Sequence, residues 1–171
     1  MYPLFRLLKV SVAGFAGKRI EPLAISRIRF LVWPNDIDTN FHLNNGRYLT
    51  LMDMGRWDLA IRTGLVGLVL KNRWQPLAGG VAIRYRRPLP PFRAYEMTTR
   101  LVCWDHKWFY AEQCFVQDGR AKARALVRLL FKGQQGNVPP EEVGRALGYE
   151  GPNPEIPEEV LRWREMVEAS R

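Results

Sequence analysis

The residues best suited to chemistry fall in one polar loop, Trp33 to Tyr48. An acid, an amide and an imidazole stand at alternate positions in it: Asp38, Asn40 and His42. A β-rich run ends before Pro34, because proline cannot donate to a strand ladder, and a helix is predicted to follow the loop. A helix N-terminus presents unpaired N–H groups and a partial positive charge. The spacing therefore predicts a carboxylate that attacks or activates water beside donors for a developing oxyanion.

A structural role for the same loop is the alternative. Asp and Asn are common in loops and helix caps because their side chains bond nearby backbone N–H groups, and a loop histidine can simply bond a backbone carbonyl. Asn44 and Asn45 are expected to shape the turn and cap the helix, with the N–H groups from Asn44 to Arg47 as a candidate oxyanion hole. The residues alone leave both roles open.

The loop resembles the signature of the hotdog-fold thioesterases, D-x-D-x-x-x-H-x-N-N-x-R-Y, from Asp36 to Tyr48. Both the 4-hydroxybenzoyl-CoA thioesterase-like and the acyl-carrier-protein thioesterase-like branches are similar to it. The segments that begin at Arg84 and Trp104 extend the resemblance over roughly residues 27–131. It implies an α+β hotdog fold, in which a curved antiparallel sheet of about five strands wraps a long central helix. One departure is Phe41, which stands where many relatives carry glycine, so a glycine-only backbone conformation is not predicted there.

The order of sequence patterns fits one domain spanning residues 1–171. We predict an amphipathic segment at 1–20, a hotdog core at about 25–132, and a helical extension with two helices at 138–171. Within the core, the patterns predict a β-run, the central helix, a short helix and four strands; these are Ile25–Trp33, Tyr48–Thr63, Leu65–Lys71, Val81–Tyr85, Tyr95–Trp104, Lys107–Gln117 and Ala121–Leu129.

The N-terminal segment, Met1 to Gly17, is apolar apart from Arg6 and Lys9. It is too short and too broken to span a bilayer. We expect an amphipathic helix packed on the domain, and peripheral contact of residues 1–17 with a membrane is the alternative.

Composition limits the other possibilities. The 171 residues carry a net charge of +9 and only two cysteines, Cys103 and Cys114. A predicted hairpin places Cys103 near Phe109, so a disulfide is not expected and a cytoplasmic location is compatible. No zinc spacing, P-loop or dinucleotide motif is present, and no metal or cofactor is predicted. The basic residues form no run of five, which disfavours nucleic acid and leaves coenzyme phosphates or an anionic membrane as acidic partners.

The function that these observations favour is hydrolysis of a fatty or aromatic acyl-CoA, in a lipid-metabolism setting. Asp38 would act as nucleophile or general base, with Asn40 and His42 assisting. Arg84, Arg86 and Arg87 are candidates for binding the coenzyme phosphates. Two alternatives stay open: an acyl-carrier-protein thioesterase, and a hotdog protein that binds an acyl ligand or a partner without turnover. The run Ala78 to Arg87 resembles a sheet edge and predicts a homodimer or a higher homo-oligomer.

Overall fold

The structure is a computed structural model that describes residues 3–169, and in it one curved antiparallel sheet wraps a long helix. The strands lie in the order β1-β3-β4-β5-β2, and a short strand, β6, pairs with β5. The helices are α1 Leu4–Ala16, α2 Asn45–Thr63, α3 Leu65–Asn72, α4 Pro140–Ala146 and α5 Glu158–Glu168. The strands are β1 Ser26–Leu31, β2 Gln75–Tyr85, β3 Ala94–Trp104, β4 Phe109–Gln117, β5 Arg120–Gly133 and β6 Gly136–Val138.

The central helix, α2, begins three residues earlier than predicted because Asn44 caps it, accepting a hydrogen bond from the Gly46 N–H at 2.9 Å. It ends at Gly64, whose φ of 86° is unfavourable for other residues. Gly55 lies against the sheet, where an added Cβ would come within 2.5 Å of Thr99 Oγ1. The helix can therefore approach strand β3 closely, which seals the core.

Small inward-facing residues of strand β5 make room for α2. Ala123, Ala125 and Val127 are buried in one cluster with Tyr48 and Leu51. Burial of these side chains, worth about 1.5–3 kcal/mol for each large aliphatic or aromatic one, holds the helix in the curve of the sheet. This arrangement confirms the predicted α+β hotdog fold.

The opposite face of the sheet is covered by α5. Val160 and Trp163 of this helix are buried against Cys103, Tyr110 and Leu126. These two residues therefore pack the last helix onto the outer face of the sheet.

Three local details differ from the sequence expectations. Strand β2 starts at Gln75 rather than Val81, and β6 was not predicted because three residues carry too little pattern. Cys103 faces Tyr110 rather than Phe109, because the register shifts between Leu101 and Cys103. Such a bulge adds one residue to a strand, and the alternation of apolar and polar residues in the sequence does not predict it.

Helix α1 packs on α2 with an unexpected face. Its buried residues are Arg6, Val10 and Gly14, and Leu7 is partly buried, while its other large apolar residues are exposed. An added Cβ on Gly14 would lie 3.2 Å from Ile61, so the two helices approach closely. Amphipathic helices usually turn their apolar side to the core, and here that side is exposed.

Met1 and Tyr2, part of the predicted N-terminal segment, lie outside the described residues. Among residues 3–169, no helix combines the length and apolarity needed to cross a membrane.

Candidate active site

The polar loop forms a small closed turn ahead of α2. Ile37 and Leu43 pair as an isolated antiparallel bridge across it. Inside, the Asp38 N–H donates to the His42 carbonyl at 3.1 Å and the Phe41 N–H donates to the Asp38 carbonyl at 3.1 Å. These short-range bonds hold residues 38–42 in one conformation, with Asp38 and His42 at its two ends.

A buried carboxylate, Asp36, anchors this turn from beneath. Its Oδ2 lies 2.6 Å from an Arg6 nitrogen and accepts the Trp33 backbone N–H at 3.0 Å, and its Oδ1 lies 3.2 Å from Arg47 Nε. With 1% of its surface exposed, Asp36 needs these partners, because an unpaired buried charge is strongly unfavourable. Three elements thus meet at one side chain: α1, the loop and the first turn of α2.

Asp38 is held at the surface of the loop with its carboxylate accessible. Its Oδ1 accepts the Asn40 backbone N–H at 2.9 Å, and His42 Nδ1 lies 3.5 Å away, longer than a normal hydrogen bond. The side chain keeps 17% of its surface exposed, in contrast to that of the buried Asp36. The predicted acid and imidazole are therefore neighbours.

The surroundings of His42 place a proton on its Nδ1. This nitrogen faces two acceptors, Asp38 Oδ1 at 3.5 Å and the Leu43 carbonyl at 3.3 Å. Because neither oxygen can donate, the donor of each contact is Nδ1–H. Whenever the ring is neutral, the lone pair is therefore on Nε2, which can then accept a proton or a hydrogen bond.

Asn40 and the cap residues behave differently from the sequence expectation. Asn40 contributes its backbone N–H to Asp38, while its side chain is exposed. The N–H groups of Asn44, Gly46 and Arg47 already donate to the Asp36 carbonyl, the Asn44 side chain and the Asn44 carbonyl. The proposed oxyanion hole over Asn44 to Arg47 is therefore wrong for these three donors, since capping uses them. Of this group, the Asn45 N–H takes no part in these bonds.

Two tyrosines that sequence reasoning did not assign a role stand behind the loop. Tyr48, on the first turn of α2, is buried, and its ring meets that of Tyr85 edge-on at 5.0 Å. Burial, then Tyr85 and the Asp38 charge, raise the pKa of Tyr48 to about 12, so its hydroxyl stays protonated near neutral pH. Tyr85 Oη donates to the Asn45 carbonyl at 3.1 Å. This bond connects the end of β2 to the start of α2. Of the two tyrosines, Tyr48 belongs to the sequence motif, whereas Tyr85 does not.

The predicted arginines lie at the same end of β2. Arg84, Arg86 and Arg87 are exposed, and the backbone N–H groups of the last two both donate to the Lys122 carbonyl, at 2.8 and 3.1 Å. Within residues 3–169, no acidic side chain is in ion-pair contact with these three guanidinium groups. They form a basic patch, and the Tyr85 bond fixes the end of their strand beside the first turn of α2.

An apolar groove of about 370 Å³ runs between α2, α3 and β2. Asp53 and Arg56 of α2 border it and pair with each other. The apolar lining comes from four elements: Trp57 and Ala60 of α2, Leu65, Val66, Val69 and Leu70 of α3, Pro76, Leu77 and Ala78 of β2, and Leu129 and Phe131 of β5. A groove with an apolar wall and a few polar groups suits an acyl chain or ring.

Phe41 at the tip of the turn adopts a backbone conformation that favours glycine. Its φ is 55°, and 79% of its surface is exposed, so packing does not compensate the strain. The left-handed conformation that could not be assumed for a phenylalanine is thus present at position 41. The hydrogen bonds within the turn hold it there, and strained residues fixed by their surroundings are common at functional sites.

We expect Phe41→Gly to keep or slightly raise the free energy of unfolding, by up to about 1 kcal/mol, because a left-handed backbone suits glycine. If the ring covers bound substrate, KM should rise about tenfold, since burying an aromatic ring is worth about 1.5 kcal/mol or more. Denaturant titration and steady-state kinetics measure the two effects. Phe92→Gly is the matched control, because Phe92 has a φ of 58° and is also exposed. Equal KM values for wild type and Phe41→Gly would contradict a substrate contact.

Sequence comparison places this fold and loop in a known class. The chain belongs to the thioesterase-like superfamily, whose family model matches residues 32–164. It is 38% identical to the protein THEM6 of Xenopus laevis over 135 residues, 78% of this chain and 64% of that protein. The chain thus spans less than two thirds of the length of this relative.

Solved structures share the fold at low sequence identity. YbaW, a probable thioesterase from Escherichia coli, superposes with a TM-score of 0.67 at 21% identity, covering 72% of this chain and 96% of its own. Slr0204 of Synechocystis, a 1,4-dihydroxy-2-naphthoyl-CoA thioesterase, superposes with a TM-score of 0.63 at 10% identity, covering 72% and 95%. At these identities the likeness concerns the fold alone.

Proposed function

We propose that this protein hydrolyses the thioester of a fatty or aromatic acyl-CoA. The observation that carries the proposal is the accessible Asp38 carboxylate, held by the Asn40 N–H beside His42 at the start of the central helix. The membership of the thioesterase-like superfamily and the CoA thioesterase activity named for Slr0204 support it. An apolar groove along α2 and a basic patch at the end of β2 suit the two halves of such a substrate.

In the general-base route, Asp38 takes a proton from a water whose oxygen attacks the thioester carbonyl carbon. The oxyanion needs donors, and the Asn45 N–H, which takes no part in the bonds made by the Asn44, Gly46 and Arg47 N–H groups, is the candidate donor. The C–S bond then breaks, and the proton passes from Asp38 to the thiolate to give a carboxylic acid and the free thiol. In the nucleophilic route, Asp38 itself attacks, releases the thiolate and forms an anhydride that water opens. Both routes need an ionised Asp38.

A thiol-release assay over a panel of acyl-CoA chain lengths and aroyl-CoA substrates tests the proposal. We expect turnover above the uncatalysed rate for at least one substrate, and a parallel series on acyl-carrier protein identifies the preferred carrier. If the protein binds acyl-CoA in equilibrium dialysis but releases no thiol from any substrate, it is the non-catalytic acyl-binding protein instead.

The basic patch should contribute to binding rather than to chemistry. We expect Arg86→Ala/Arg87→Ala to raise KM for acyl-CoA about tenfold with kcat nearly unchanged, because contacts to a remote phosphate stabilise ground and transition states alike. KM for acyl-pantetheine, which lacks the nucleotide phosphates, should not change. Arg145→Ala/Arg162→Ala, on helices α4 and α5, removes the same charge elsewhere and serves as the control. An equal ratio of the two KM values in wild type and in the double variant at 86 and 87 would contradict a coenzyme contact.

We also propose a homodimer joined through β2. This strand ends the sheet, and Val81 and Leu77 on it are partly exposed, so its outer backbone groups can pair with a second copy. Light scattering should give about twice the chain mass of 19.9 kDa. Val81→Lys should shift the mass toward the monomer, because charged residues on an edge strand oppose pairing. A stable wild-type monomer at micromolar concentration would contradict this assembly.

A cytoplasmic location suits the two thiols. Burial raises the pKa of Cys103 to about 11 and also raises that of Cys114, so both stay protonated and unreactive. Cys103 faces Tyr110 and Cys114 faces Thr98, so neither is placed to form a disulfide with the other.

A further inference from the structure

Helix α1 exposes an apolar face of the kind that a surface helix ordinarily buries. Five large apolar side chains cover its outward face and are 62–69% exposed: Leu4, Phe5, Leu8, Val12 and Phe15. At 100° per residue these positions fall within one arc of about 100°. Scattered exposed apolar residues are ordinary, but a continuous row on one face marks an interaction surface.

The protein body holds the opposite side of this helix through polar contacts and through the buried Val10. Arg6 pairs with Asp36 and also donates to the Leu31 carbonyl at 2.9 Å. Trp57 Nε1 donates to Ser11 Oγ at 2.8 Å, and Gly14 lies close to Ile61. Rotating α1 to bury its apolar arc would break these contacts and leave Asp36 and Arg6 without each other. The exposed arc is therefore a fixed property of the fold.

Basic side chains flank the arc. Residues 1–20 contain four basic residues and no acidic one. Lys9 stands at the edge of the arc and lines a groove of about 440 Å³ with Arg27, Arg29 and Arg62. Among the described residues, Arg27 pairs with Glu96 and Arg62 with Asp58, whereas Lys9 and Arg29 are in no ion pair. The surface beside the apolar arc thus carries uncompensated positive charge.

We propose that α1 is an in-plane anchor that lies on an anionic lipid bilayer with its apolar arc inserted among the acyl chains. Phe and Leu side chains on one face with cations at the rim are the features that let a helix bind a bilayer interface. Anionic headgroups supply the negative charges that can pair with Lys9 and Arg29. A second copy of this chain would instead bring a second Lys9 and a second Arg29 against the same surface, which opposes pairing through α1.

Cosedimentation with vesicles tests the anchor. Wild-type protein should bind phosphatidylcholine vesicles containing 30% phosphatidylglycerol, bind pure phosphatidylcholine at least about tenfold more weakly, and lose affinity as salt rises. Phe5→Ser/Leu8→Ser should reduce binding to the anionic vesicles at least about tenfold, because each buried apolar side chain contributes to partitioning. The matched control, Leu70→Ser/Phe92→Ser, removes one leucine and one phenylalanine that are exposed elsewhere and should bind as the wild type does.

Two further measurements test whether the variants are folded and whether charge causes the preference for anionic vesicles. Circular dichroism should show both double variants folded, since all four positions are exposed. Lys9→Glu/Lys18→Glu should abolish the preference for anionic vesicles while leaving the apolar arc intact. Absence of wild-type binding to anionic vesicles, or an equal loss in the control variant, would overturn the proposal. A wild-type dimer in solution that Phe5→Ser/Leu8→Ser converts to monomer would overturn it too, because the arc would then cover a second copy.

Discussion

Asp38→Asn should lower kcat for acyl-CoA hydrolysis by two or more orders of magnitude while the protein stays folded. The substitution keeps the size of the side chain and an oxygen for the Asn40 N–H, but it removes the charge that either attacks the carbonyl or accepts the proton of water. Loss of a general base typically costs about 10²–10⁴-fold in rate. Steady-state kinetics on the best substrate of the panel measures the effect.

The control for this substitution is Asp53→Asn. Asp53 is an exposed acid on α2 that borders the apolar groove and pairs with Arg56, so it shares the neighbourhood without facing the turn. Its kcat should remain within about threefold of wild type, as expected for an exposed ion pair worth about 0–1 kcal/mol. Wild-type turnover by Asp38→Asn would assign Asp38 a structural role only, and the proposed chemistry would have to be abandoned.

Asp36→Ala should be the most destabilising of the loop substitutions. It leaves Arg6 buried without its anion, and removing one partner of a buried pair typically costs about 3–5 kcal/mol. For a chain of this size, each 1 kcal/mol shifts the melting temperature by roughly 2–4 °C, so we expect a loss on the order of 10 °C. Differential scanning calorimetry measures it.

An exposed pair provides the comparison for Asp36. Glu158 and Arg162 form an i,i+4 pair on α5 at 2.5 Å with both side chains largely exposed. Glu158→Ala should change the free energy of unfolding by about 0.5 kcal/mol or less. If the melting temperatures of Asp36→Ala and wild type lie within about 1 °C of each other, Arg6 has found another partner. The proposed role of Asp36 as the anchor of the turn would then be wrong.

Local chemistry explains why much of the fold could be predicted. Asn44 as a helix cap, Gly64 as a helix end and Asp118-Gly119 as a hairpin turn each act within a few residues, so the sequence displays their effect directly. The alternating alanines of β5 likewise indicated the close approach of α2. The family signature carried the hotdog architecture, since periodicity alone predicts elements and not their arrangement.

The candidate site was less predictable because its supports come from distant parts of the chain. Arg6 reaches Asp36 across 30 positions, and nothing in the sequence around either residue signals the pair. The polar loop was apparent, but the use of its N–H groups for capping depends on the fold around Asp36 and Asn44. The outward orientation of the apolar arc on α1 also escaped prediction. Helical periodicity identifies two faces but does not decide which one a buried ion pair will turn inward.

The cover that α5 places over the sheet has a consequence for how copies of this protein can stack. Its Val160 and Trp163 occupy the outer face that another sheet would need for a back-to-back contact. Growth by strand addition is limited as well: the edge strand β1 has 6 residues and carries the exposed Arg27 and Arg29, whereas β2 has 11 residues, one exposed arginine, Arg84, near its end, and the exposed Leu77 and Val81 along its length. If β2 is the edge that pairs, pairing of two β2 strands about a two-fold axis would occupy this edge in both copies. The assembly would then end at two copies. Fibrillar polymers would need a second open edge, and this chain keeps that edge charged.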